Sequence, residues 1–131
     1  MHHTEATIEA ELYMVLRDAG YDVELNMHTP AGRPDVTVFG KTRDEVLALI
    51  EVKAYPQHPN ARQLFRYRQC NVPLLRHWKF GEEKQVLREL KKIKTYVSMS
   101  SVAQTVPIPR RLKRRAPVQD LYTELNLRPS V

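Results

Sequence analysis

The chain has 131 residues, 42% of them hydrophobic, which suits one domain with a modest core. It holds no apolar run long enough to span a bilayer, and its single cysteine, Cys70, excludes an internal disulfide framework and a Cys-rich zinc site. The net charge is +6, but it is unevenly spread: residues 1–70 carry 8 Lys+Arg against 10 Asp+Glu, a balance of −2, and residues 71–131 carry 13 against 5, a balance of +8. The first part can supply acids to a cation, and the second can meet a polyanion, of which nucleic acid is the first to consider. Met1-His2-His3-Thr4 has neither a basic nor an apolar leader pattern, so the expected setting is cytoplasmic or host-cell intracellular, not secreted and not in a membrane.

Residues 5–19 carry Ile8, Leu12, Val15, Leu16 and Ala19 at helical spacing, with Thr4 as N-cap and Gly20 as stop. Tyr21, Val23, Leu25 and Met27 alternate, which predicts a half-buried strand over 21–27. A loop over 28–33 leads to a short strand over 35–39, a polar turn over 40–45 and an almost wholly apolar strand over 46–53. Residues 54–59 read as a breaker, followed by a helix from about 60 to 69 and a strand over 73–80. Residues 82–97 predict an amphipathic helix with Val86, Leu90, Ile93 and Val97 on one side and Arg88, Lys91 and Lys92 towards the other. From residue 98 the pattern weakens into a linker with a basic cluster, then one short helix around Val118, Leu121, Tyr122 and Leu125. The expected class is α/β: a central mixed sheet of four to five strands flanked by helices over 1–97, and a basic C-terminal arm with a short helix over 98–131.

The apolar strand ends in Glu51-Val52-Lys53, and Pro34-Asp35 opens the strand before it. Glu51 and Lys53 are two apart and share a strand face. If the two strands form an antiparallel hairpin, the start of the first lies beside the end of the second, so Asp35 and Glu51 meet at one end of the sheet. Two carboxylates there can hold a hard divalent cation such as Mg²⁺, with Mn²⁺ able to substitute. Such a cation polarises a phosphate oxygen. Lys53 can orient water or offset charge on the phosphate. Glu9 lies at the edge of the first helix's apolar stripe.

These residues resemble the PD-(D/E)xK nuclease superfamily. Pro34-Asp35 is followed, after fifteen intervening residues, by Glu51-Val52-Lys53, and the expected order of helix, three-stranded meander, helix and strand is similar to the superfamily's restriction-endonuclease-like core. Glu9, with Leu12, Leu16 and Gly20 after it, is similar to the first-helix pattern of archaeal Holliday-junction resolvases, although Ala10 stands where those usually have a basic residue. Gln63-Leu64-Phe65-Arg66-Tyr67 looks like the Gln-x-x-x-Tyr motif of the RecB-like branch, and Gly32 to Asp35 is similar to small phage-borne nuclease modules. The resemblance implies a Mg²⁺-dependent DNA endonuclease leaving 5′-phosphate and 3′-hydroxyl ends. Asp35, Glu51 and the Val52 carbonyl would bind metal, joined by a first-helix acid that would be Glu9, looking into the site, with Glu5 and Glu11 as rivals. Lys53 would be the catalytic lysine with Gln63 in support, and Tyr67 would touch the DNA backbone, the alternative for Tyr67 being a place in the core. A branched or junction substrate would need two active sites, hence a homodimer.

Arg33 is a candidate phosphate contact, and Arg110, Arg111, Lys113, Arg114 and Arg115 form a candidate arm on the DNA backbone. The rival expectation is a non-catalytic DNA-binding or assembly module on the same fold. A third is an unrelated α/β protein in which Glu51 and Lys53 form an ordinary surface pair.

Overall fold

The computed structural model describes residues 4–53, 61–73, 75–78 and 81–102. Helix α1 (Glu5–Asp18) starts where the Thr4 side chain accepts from the Thr7 N–H at 3.1 Å. It ends in a left-handed turn at Gly20 (φ 97°), where Gly20 N–H donates to Arg17 O and Tyr21 N–H to Leu16 O. Its stripe of Ile8, Leu12 and Leu16 is fully buried. Each such side chain is worth about 1.5–3 kcal/mol in surface removed from water.

Strands β1 (Asp22–Leu25), β2 (Val36–Phe39) and β3 (Glu45–Val52) form an antiparallel meander, and α2 (Ala61–Gln69) then carries the chain to β4 (Leu75–Trp78), which lies parallel to β3. A parallel neighbour needs such a crossover, because a tight turn can only reverse the chain. The sheet order is β1-β2-β3-β4, so the most apolar strand is central. Val36, Val38, Ala48, Ile50 and Val52 pack with Ile8, Leu12 and Leu16 of α1 and with Val86 and Leu90 of α3 (Glu83–Lys92). Val46 and Leu49 join Tyr67 and Cys70 on the other side. The register shifts between Val38 and Phe39, with Leu47 as the extra residue. That bulge lets neighbours Leu47 and Ala48 enter the same core cluster.

The mixed α/β architecture is as the sequence predicts, with three differences. The first strand stops at Leu25, because Asn26 turns into the left-handed region at φ 54°. The helix expected over 82–97 stops at Lys92, and Ile93 is extended with ψ 123°. The run Ile93, Thr95, Tyr96 and Val97 is β-branched or aromatic and favours extended chain. Val97 therefore joins β5 (Val97–Ser98), which pairs with Glu45 and Val46 of β3, instead of extending the helical stripe. Third, the start expected for the arm, residue 98, falls inside packed structure. Met99 N–H donates to Asp44 O, and α4 (Met99–Val102) buries Val102 completely. The cluster Arg110 to Arg115 and the last expected helix lie outside the described residues.

On the outer half of the sheet, Arg43 covers Phe39 at 4.4 Å from the ring centroid and binds Asp22 through both Nε and Nη2 and Glu24 through Nη1. These groups are exposed, so the ion pairs add little individually.

Gly40 sets how closely the 93–98 segment can approach the β2–β3 turn: a methyl there would run into the Tyr96 ring. Gly40→Ala should cost about 1–3 kcal/mol in chemical denaturation. The same change in a Tyr96→Ala background should cost clearly less, because the clash is then gone.

Candidate active site

Val36 pairs with Ile50, so the next residues outward, Asp35 and Glu51, face each other where β2 begins and β3 ends. Asp35 is fixed twice. Its Oδ2 accepts from the Val52 N–H at 2.7 Å, and its main-chain oxygen accepts from the Asn26 N–H at 3.0 Å. Glu51 is only 6% exposed, which removes the ordinary-surface-pair reading. The Tyr67 hydroxyl donates to Glu51 Oε1 at 2.9 Å, and Gln63 Nε2 donates to the Tyr67 oxygen at 2.7 Å. Positions 63 and 67 are one helical turn apart, so α2 presents both to the sheet from the same side.

Glu9 reaches the same end of the sheet from α1. Asn26 Nδ2 donates to its Oε2 at 3.3 Å, and the Asp35 carboxyl is close enough to act on it by both charge and hydrogen bonding. Of its rivals, Glu5 affects Glu9 only through its charge, and Glu11 is exposed. Lys53, half-buried just past β3, lies near enough for its charge to act on Glu51.

Burial holds the Glu51 carboxyl up to about 8, and the hydrogen bond and charge of Asp35 push the same way, against the Tyr67 hydroxyl and the Lys53 ammonium. Burial also raises Glu9, and Asp35 adds to that, while the Asn26 amide opposes it. Burial first, then the charge of Glu51, lifts the Tyr67 phenol far above its ordinary range, so it stays a proton donor. Asp35 thus lies between two acids that both resist ionisation beside it. Two close carboxylates need a shared proton or a cation.

The donors that could hold a cation are therefore Glu9, Asp35 and Glu51, all hard oxygen ligands suited to a divalent ion. Each is already engaged by a protein donor: Asn26, the Val52 N–H and Tyr67. Among the described residues no group of three or more His, Cys, Asp or Glu side chains forms a ready-made metal cage. The donor chemistry and the charge deficit fit a divalent cation, which would displace the proton that Glu51 otherwise keeps.

The other expected site residues fall as follows. Val52 buries its side chain in the core and turns its N–H to Asp35. Tyr67 takes the second of its two expected places: it is completely buried in the core, not out at a DNA backbone, with its hydroxyl on Glu51. Gln63 is half-buried and acts on Tyr67. Arg33 is exposed and its Nε donates to the Asn26 carbonyl at 3.0 Å. Arg110, Arg111, Lys113, Arg114 and Arg115 lie outside the described residues. Asn26 was hidden in the expected strand, although asparagine ahead of a loop is the usual non-glycine residue in a left-handed turn. Arg62 and Arg66, both exposed and four apart on α2, were also passed over.

Because Glu51 and Glu9 hold protons more tightly folded than unfolded, metal-free stability should fall as pH rises from the ordinary carboxylate value of 4.5 towards about 8, and then level off. Glu51→Gln should flatten most of that slope and melt higher than wild type at the alkaline end, as read by thermal melts of chelator-treated protein across that range. In comparison with known proteins, the chain matches no family model, no curated protein and no solved structure.

Proposed function

We propose that the protein is a divalent-metal-dependent DNA endonuclease that hydrolyses phosphodiester bonds. The observation that carries this reading is the convergence of Glu9, Asp35, Glu51 and Lys53 on one end of the β2–β3 hairpin, with Glu51 buried against Asp35. A stability device would not bury an acid beside another acid, since that raises the free energy of the folded, metal-free state. When bound by these acids, Mg²⁺ or Mn²⁺ supplies Lewis-acid polarisation of a phosphate oxygen.

The chain's own residues supply the rest. Tyr67, held by Gln63, fixes the orientation of Glu51. The Val52 N–H fixes Asp35. Lys53, at the rim of the site, orients the attacking water or offsets the charge that builds on the phosphate as its oxygen–phosphorus bond forms and the 3′-oxygen leaves. Helix α2 carries three arginines and no acid, with Arg62 and Arg66 exposed beside the Gln63–Tyr67 face. That charge suits a nucleic-acid backbone approaching the site. A branched or junction substrate belongs to the same proposal, with two copies of the chain cutting opposing strands.

One observation favours a second reading, a non-catalytic DNA-binding or assembly module: all three acids already have protein donors. Incubation with plasmid, linear and four-way-junction DNA separates the two. The nuclease reading expects cleavage with Mg²⁺ or Mn²⁺, none with EDTA, none by Asp35→Ala, and a loss of about 10²- to 10³-fold in rate for Lys53→Ala with DNA affinity retained. Metal-independent binding with no cut on any substrate would decide for the module.

A further inference from the structure

Asn26 ties together three segments beside the candidate site: helix α1, the 28–33 loop and the start of β2. Its backbone is left-handed at φ 54°. Its N–H donates to the Asp35 main-chain oxygen at 3.0 Å, its carbonyl accepts from Arg33 Nε at 3.0 Å, and its side-chain amide donates to Glu9 Oε2 at 3.3 Å. The left-handed turn is what permits this. It ends β1 after Leu25 and takes the side chain at 26 out of the strand's alternation. An asparagine side chain is short, with two rotatable bonds, so its amide can lie only near its own backbone. The backbone of Asn26 is in turn fastened to that of Asp35. Through this chain of short links, the carboxylate of an acid on α1 is held at a set place relative to the acid on β2. No packing contact needs the amide for that, because α1 docks through Ile8, Leu12 and Leu16.

We infer that Asn26 is a positioning residue that holds the Glu9 carboxylate ready for a divalent cation shared with Asp35, an inference that rests on the proposed metal-dependent reading. Without the amide, Glu9 spreads over several rotamers, and a cation must collect it at a cost in side-chain entropy. The hydrogen-bonding partners of metal ligands commonly change affinity by 10- to 100-fold when removed.

The test is a double-mutant cycle on metal affinity in the full chain, without DNA. Mn²⁺ is titrated into wild type, Asn26→Gly, Glu9→Gln and the double variant, with free Mn²⁺ read by electron paramagnetic resonance. Glycine adopts the left-handed turn freely, so Asn26→Gly should keep the fold, which a thermal melt checks. Asn26→Gly should weaken Mn²⁺ binding about 10-fold, and should weaken it no further once Glu9 is glutamine. An equal loss in both backgrounds, or no loss in either, overturns the positioning role while leaving the metal site standing. Failure of wild type to bind Mn²⁺ at all overturns both. Mn²⁺ binding with the expected coupling but no DNA cleavage keeps the inference and removes only the nuclease.

Discussion

The burial of Glu51 against Asp35 is the constraint around which the rest of the molecule is arranged. A carboxyl that is 6% exposed and faces a second carboxyl is unfavourable as an anion, and here it is driven up to about 8. The fold accepts this cost because β3 is central and covered on both faces, so nothing at its end can swing away into water. Tyr67 softens the cost from one side and Lys53 from another, without removing it. What remains is a pair of acids at a fixed place that a shared proton or a cation can balance.

Each element around that place does a second job besides packing. Helix α1 buries three large aliphatic side chains and also delivers Glu9. Helix α2 is the crossover required by the parallel β3–β4 pair, and its inner face carries the Gln63–Tyr67 relay to Glu51. The antiparallel β2–β3 register alone sets Asp35 opposite Glu51. A slip of one residue would leave the two acids on opposite faces of the sheet. The bulge at Leu47 lies towards the far end of the hairpin, which leaves the register beside the acids regular.

Much of this was legible in the chain. The helical spacing of Ile8, Leu12 and Leu16, the Thr4 cap and Gly20 gave α1 almost to the residue. The apolar run closed by Glu51 and Lys53 gave both the central strand and the placing of Asp35 beside Glu51, because hairpin geometry is dictated by local pattern. What the pattern hid were features decided by tertiary contact. Val97 keeps helical register with Val86, Leu90 and Ile93, yet it pairs with Val46, since a free strand position outweighs a weak helical preference. Asn26 continues an alternating run, yet it turns left-handed because Glu9, Arg33 and Asp35 all take hydrogen bonds from it or give them to it. Tyr67 belongs to a recognisable motif, but the sequence could not say whether its hydroxyl looked out at a substrate or in at Glu51. The basic cluster at 110–115 lies outside the described residues.

The most direct measurement is the anomalous difference density of crystals soaked in manganese near pH 8, where Glu51 can give up its proton. The account predicts one strong peak touching the carboxylates of Asp35 and Glu51, with Glu9 turned towards it. No peak between these carboxylates at saturating manganese would contradict it.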